Sequence, residues 1–234
     1  MFLGLDTATE WVHLALLDGK SAWTRRVLTG PDNSASRVLL STAGELLQEA
    51  RADRNDLEGT IVCIGPGGFT SLRVGIATAE GLAVMGLPTW GFSAFELRAL
   101  SVAGQARSKV VCLVLDGQRS EAFLQRWDTE TMRAIEPAVK VPMSELALTV
   151  GDHEWWTPER FRPNAEPHVA HPPIVLEDEG YAVLKALAEL CRICPGRPVE
   201  NPLLPFYLRE TDAEVNFPAE SAHLKDEHRL GLAR

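Results

Sequence analysis

A chain of 234 residues, 45% hydrophobic and 24% charged, is long enough for one large or two small domains with a real core, and its composition is that of a soluble globular protein. Its 23 basic residues are outnumbered by 32 acidic ones, and the net charge of −9 speaks against broad nonspecific binding to nucleic acid or anionic membrane. Any service to an RNA is therefore expected to run through a partner. The N-terminus has no basic region followed by a continuous apolar core, so no secretory leader is expected. The longest uncharged apolar stretch, 81–95, is broken by Gly86, Pro88 and Gly91 and is too short to span a bilayer. No feature places the chain outside the cytoplasm.

Residues 1–6 form a short apolar strand ending in Asp6, and 11–17 a second strand after a small turn, with His13 interrupting its alternation. Residues 22–28 extend the sheet. After Gly30-Pro31-Asp32-Asn33 a helix begins, with Asn33 or Ser34 as N-cap and apolar positions Leu39, Ala43, Leu46, Leu47 and Ala50 at helical spacing. A strand over 60–64 feeds the glycine-rich turn Gly65-Pro66-Gly67-Gly68 and then a helix over 72–85. Small and apolar residues go right round that helix, and only Arg73 and Glu80 carry charge. A helix apolar on every side is normally buried on every side, so one face is expected on the core and another on a partner protein. A strand near 89–92 and a short helix over 94–102 close this part.

The polar stretch 104–108 reads as a junction. Beyond it the opening pattern recurs, with an apolar strand over 110–115, Asp116 at its end and a second strand over 121–127. Residues 153–173 hold Trp155, Trp156, five prolines and no clear period, and read as loop. A helix over 180–194 and a proline-rich passage to Pro205 follow. The expected plan is an N-terminal lobe over 1–104, rejoined by about 200–212, a smaller second lobe over 105–199, and a polar, partly disordered tail over 213–234. Cys63 and Cys112 sit inside strands and read as small hydrophobes. Cys191 and Cys194 admit two readings: half of a zinc site completed by His168 and His171, or the continuation of the apolar face of Leu184 and Leu187. The helical reading is favoured, since a structural zinc site needs four correctly spaced ligands.

Asp6-Thr7-Ala8-Thr9 can position a metal-bound phosphate, because a carboxylate binds the cation while hydroxyls and turn amides face the anion. The same residues can equally stabilise a turn. Asp116-Gly117 is a weaker candidate of the same kind. Ser71 and Ser93 have no His/Asp partner at a telling spacing, the six histidines are dispersed, and the glycine turn lacks the lysine of a phosphate-binding loop. Neither catalytic residues nor a metal site are therefore expected.

The run Gly65 to Gly75 with its small-residue helix resembles the signature of the TsaB (YeaZ-type) family. Leu3-Gly4-Leu5-Asp6-Thr7-Ala8-Thr9, Val114-Leu115-Asp116-Gly117 and Pro205-Phe206-Tyr207-Leu208-Arg209 agree in order and spacing. The resemblance covers about residues 1–210 and is strongest over 60–96. It implies an α/β, two-lobed fold of the actin/Hsp70/sugar-kinase type with duplicated mixed-sheet lobes, in which Asp6, Thr7, Thr9, Asp116 and Gly117 line a degenerate nucleotide cleft. It further implies a noncatalytic, cytoplasmic subunit, without a cofactor of its own, that partners TsaD in transferring the threonylcarbamoyl group to N6 of adenosine 37 in tRNAs reading ANN codons. TsaE is the expected third component, and tRNA is reached only through the complex.

The two family helices that pair with TsaD, or with a second copy when the chain is alone, correspond to 34–50 and 72–85. Leu39, Ala43, Leu46, Leu72, Ile76, Ala79 and Ala83 are the expected contacts. The catalytic paralogue TsaD carries a His-x-x-x-His pair on the first of these helices, and the matching helix here has no histidine. The chain also departs from the family in Ala35-Ser36, where His-Ser is common, and in Gly68 and Ser71, where Ser and Gly are usual. The competing reading is an active small-molecule kinase or ATPase of the same superfamily.

Overall fold

The structure is a computed structural model that describes residues 1–176, 181–199 and 202–208. The expected tail lies outside the described residues. Strands Phe2–Asp6 (β1), Trp11–Asp18 (β2) and Ser21–Leu28 (β3) form an antiparallel meander. Helix Ala35–Glu49 (α1) leads to strand Gly59–Gly65 (β4), which runs parallel to β1, and helix Phe69–Val84 (α2) leads to the parallel strand Thr89–Ser93 (β5). The resulting sheet has the order β3-β2-β1-β4-β5. Helix Ala94–Val102 (α3) starts at a capping box in which the Ser93 hydroxyl accepts from the Glu96 N–H and the Glu96 carboxylate accepts from the Ser93 N–H.

The second sheet repeats the plan. Strands Val110–Gln118 (β6) and Glu121–Asp128 (β7) are antiparallel, and the short strands Arg133–Ala134 (β8) and Val139–Pro142 (β9) both pair with β7. After the short helix Leu146–Val150 (α4), strand Glu154–Pro158 (β10) runs parallel to β6; a further short helix, Arg162–Ala165 (α5), leads to the parallel strand Ile174–Leu176 (β11). The stretch 153–173, read as loop from its prolines, thus contains a strand. Trp155 and Trp156 alternate across it, one buried in the second half's own core and the other in the main core. Proline is tolerated because Pro158 is the last residue of β10.

Helices α1 and α2 cover one face of the first sheet. The other is covered by α3 and by the helix Tyr181–Ile193 (α6), which packs on β1, β2 and α3. The helix that the sequence places in the second lobe therefore belongs to the first sheet's packing layer. Cys191 lies on its apolar face and Cys194 just beyond its last residue; both are buried, and a Cβ added to Gly4 of β1 would stand 2.6 Å from Cys191 Sγ. Burial pushes the Cys63 and Cys191 thiols up, away from the reactive thiolate. No described helix is long and apolar enough to cross a membrane.

The glycine turn is held by close backbone contacts. Gly65 has φ +116° and packs on the Phe206 carbonyl, while Phe206 N–H donates to Ile64 O at 2.7 Å. Gly67 lies against the backbone of Ala8, and Gly68 N–H donates to Ala8 O at 2.8 Å. A side chain at Gly67 would overlap rigid backbone, so Gly67→Ala is expected to lower stability by about 1–3 kcal/mol. Gly44, in α1, meets nothing within 4 Å of an added Cβ, and Gly44→Ala is expected to raise it by about 0.5–1 kcal/mol. Urea denaturation of the two variants beside wild type checks both signs.

Candidate functional site

The turn between β1 and β2 is closed by its own side chains. Asp6 is fully buried; its Oδ1 accepts from the Ala8 N–H at 2.9 Å and its Oδ2 stands 3.3 Å from His13 Nδ1. Residues 6 and 13 are register partners across β1 and β2, so both side chains point to the α3 face, where Arg98 Nη1 lies 3.6 Å from Asp6 Oδ2. All three side chains are buried. Burial raises the Asp6 carboxyl, but the His13 hydrogen bond, the Arg98 and His13 charges and the Ala8 amide outweigh it and hold the group at about 2.

Thr7 turns the other way, against Gly75 of α2, where an added Cβ would stand 2.5 Å from Thr7 Oγ1. Thr9 Oγ1 accepts from the Trp11 N–H at 3.1 Å. Two of the turn amides that a phosphate would need, those of Ala8 and Trp11, therefore already donate to side chains of the turn itself.

The matching turn in the second sheet is built differently. Asp116 is exposed, and its Oδ1 accepts from the Gln118 N–H at 2.7 Å; Gly117 is buried against Glu121. Residues 118–120 all have positive φ without a glycine among them. Arg160 Nη1 pairs with Glu10 Oε1 of the first turn at 2.5 Å, and its hydrogen bond to Glu10, the Glu10 charge and, more weakly, the Asp116 charge push the Arg160 guanidinium up. A guanidinium thus sits between the acidic groups of the two turns. Glu10, His13, Arg98 and Arg160 are absent from the candidates read in the sequence; the strand register alone, with Asp6 opposite His13, is enough to flag one of them. Among the described residues no three His, Cys, Asp or Glu side chains are grouped to hold a metal ion.

The expected partner contacts need correction. Leu39, Ala43 and Leu46 of α1 and Leu72, Ile76 and Ala79 of α2 are buried in the chain's own core, and only Ala83 is half-exposed. An all-apolar helix carries no phase, so the sequence could not tell its inner stripe from its outer one. The outer stripe is Thr70, Arg73, Ala77, Gly81 and Val84, with Val84 90% exposed. Met85, directly after α2 and 59% exposed, extends the apolar surface; on neighbouring α1, Leu40 is 64% exposed. At the start of α2, Arg73 lies over the Phe69 ring at 3.8 Å and donates from Nε to the Tyr207 hydroxyl at 2.9 Å. The segment 202–208 is thereby tied to the helix; Arg209 lies outside the described residues.

Residues 33–167, more than half of the chain, match the family model for TsaD, tRNA N6-adenosine threonylcarbamoyltransferase. The chain belongs to the TsaD family. It is 30% identical over 156 residues to an uncharacterised protein of Mycobacterium leprae, covering 63% of this chain and 42% of that one. It is 28% identical over 140 residues to an uncharacterised protein of Mycobacterium tuberculosis, covering 58% of this chain and 63% of that one. The matches therefore span less than two thirds of these relatives. YeaZ from Pseudomonas aeruginosa superimposes with a TM-score of 0.72 at 22% identity, over 88% of this chain and 99% of that one. A second structure, described as an uncharacterised protein with similarity to peptidase YeaZ from the same organism, gives the same score and identity. The chain therefore shares the fold of YeaZ, with two α/β halves each built on its own sheet.

The buried Asp6 cluster has a signature in acid. Its carboxyl is lowered from the ordinary 3.8 to about 2, so its contribution is complete above pH 4 and is lost as pH falls through about 2. That contribution is on the order of 2 kcal/mol. Asp6→Asn is expected to cost about 3 kcal/mol at neutral pH by removing the buried charge that faces Arg98 and His13, and to flatten the pH dependence between 4 and 2. Urea midpoints of both proteins across pH 2–7 check this.

Proposed function

We propose that the chain is a noncatalytic subunit that docks a TsaD-type protein through the outer face of α1 and α2, and so serves threonylcarbamoyl transfer to N6 of adenosine 37 in tRNAs reading ANN codons. The observation that carries this reading is the unpartnered apolar stripe. On α2, Ala77, Gly81, Val84 and the adjoining Met85 stand in solvent while Leu72, Ile76 and Ala79 are committed to the core, and an exposed apolar stripe of this kind marks interaction sites. Ala77 and Gly81 in the middle of the stripe let another backbone approach closely. The same face would pair two copies of the chain when TsaD is absent.

The inwardly bonded first turn supports the noncatalytic half of the reading. A carboxylate buried between His13 and Arg98 is a structural group, and Asp6, Thr7, Thr9, Asp116 and Gly117 then mark a vestigial cleft with no bound nucleotide required. The histidine-free α1 fits no metal pair of the kind that TsaD carries. The net charge of −9 suits a subunit that meets tRNA only through its partner, with TsaE as the third component, in the cytoplasm.

Leu40→Arg and Val84→Arg both change exposed side chains and are expected to leave circular dichroism and melting unchanged. Each is expected to weaken binding to TsaD, by calorimetric titration, and self-association, by sedimentation, about a hundredfold or more, as a charge stranded in an apolar contact does. Wild-type affinity in both variants overturns the assignment of the face. The isolated chain is also expected to hydrolyse ATP far more slowly than the roughly 1 s⁻¹ at the lower end of ordinary enzymes; turnover at that rate in a steady-state phosphate-release assay favours the kinase.

A further inference from the structure

The one cation on the outer stripe of α2 is held in place from the far end of the chain. Phe69, Arg73 and Ala77 follow one another at four-residue spacing, so Arg73 continues the stripe of Ala77, Gly81 and Val84 toward the helix start. Its guanidinium lies 3.8 Å from the centre of the Phe69 ring, and its Nε donates to the Tyr207 hydroxyl at 2.9 Å. The Tyr207 and Phe69 rings are themselves 5.4 Å apart. Tyr207 is fixed in turn, because the Phe206 N–H donates to Ile64 O at 2.7 Å beside the glycine turn.

These contacts immobilise a side chain that is exposed to solvent, yet they use only one nitrogen of the guanidinium. Its two terminal nitrogens have no hydrogen-bond or ion-pair partner among the described residues. The helix neighbours of Arg73 are Phe69, Thr70, Ile76 and Ala77, and the one carboxylate of α2, Glu80, is two turns further on. Two parallel donors of this kind match a carboxylate. Held still beforehand, they give up little side-chain freedom on meeting one. Arg, Tyr and Phe together are also the residue types that dominate the energetics of protein interfaces.

Resting on the docking reading above, we propose that Arg73 is the charged anchor of the α2 face: it receives a carboxylate of the TsaD-type partner, and Tyr207 is the residue that positions it. The apolar stripe that Arg73 continues favours a protein carboxylate over an RNA phosphate. Binding of the full chain to TsaD is measured by calorimetric titration, with circular dichroism to establish that each variant is folded. Arg73→Gln is expected to weaken binding about tenfold or more, the scale of one charged hydrogen-bonded contact. Arg73→Lys keeps the charge without the fork and is expected to recover only part of that loss. Tyr207→Phe keeps the ring without the hydroxyl and is expected to weaken binding by a smaller factor. The double variant is expected to bind no more weakly than Arg73→Gln alone, as a residue acting through Arg73 requires.

Val84→Arg, at the far end of the stripe, separates the anchor from the face. Loss of binding in Val84→Arg with wild-type affinity in Arg73→Gln overturns the anchor and leaves the docking face standing; wild-type affinity in Val84→Arg overturns both. Full affinity in Arg73→Lys overturns the fork, and additive losses from Arg73→Gln and Tyr207→Phe overturn the positioning role. Undiminished binding of Arg73→Gln to TsaD with weaker capture of tRNA by the complex assigns the guanidinium to a phosphate and overturns the proposal.

Discussion

The backbone of Gly67 rests directly on the backbone of Ala8, with Gly68 donating to the Ala8 carbonyl, and the first half is arranged around that contact. It brings the start of α2 down onto the β1–β2 turn, a few residues before Gly75 meets Thr7. A helix seated so closely at both places has no freedom to roll. Its inner stripe of Leu72, Ile76 and Ala79 is fixed on the sheet, and Ala77, Gly81 and Val84 are left facing outward. The contact also covers one side of the β1–β2 turn itself. The presentation of one surface and the closing of another have the same cause.

The two halves share a strand–Asp–turn–strand plan, yet their aspartates have different fates. Asp6 ends a strand covered by α6, beside Arg98 of α3, so its carboxylate is enclosed and must be matched by His13 and Arg98. Asp116 is left exposed, and its carboxylate folds back to cap its own turn. Sequence repetition fixed the backbone plan in both halves. The packing layer above each strand decided what the side chain became.

This difference explains what was legible. Local chemistry read well: the glycine turn with its following helix, the short helix over 94–102 and the recurring strand pair all depend on residues near one another in sequence. The helix starts three residues earlier than its apolar run, at Phe69, because the turn's contacts rather than hydrophobicity set its first residue. What did not read was tertiary. The Asp6–His13 pair depends on strand register and its link to Arg98 on a helix some ninety positions away. The outer face of α2 is invisible where every position is small or apolar, and the β10 strand was obscured by prolines lying mostly outside it.

The placement of α6 has a temporal consequence. The underside of β1 and β2 is closed by Val183, Leu187 and Cys191, which follow those strands by some 170 residues in synthesis. As the chain leaves the ribosome, the first sheet can form with one face covered by α1 and α2, but its other face stays open until the whole second half has been made. The first half is therefore no early-folding unit. Its strands must wait, with an apolar face bare, for the last described helix, and contacts of such long sequence separation are the slow and aggregation-exposed ones to form. The molecule is contiguous in space but is completed from its far end.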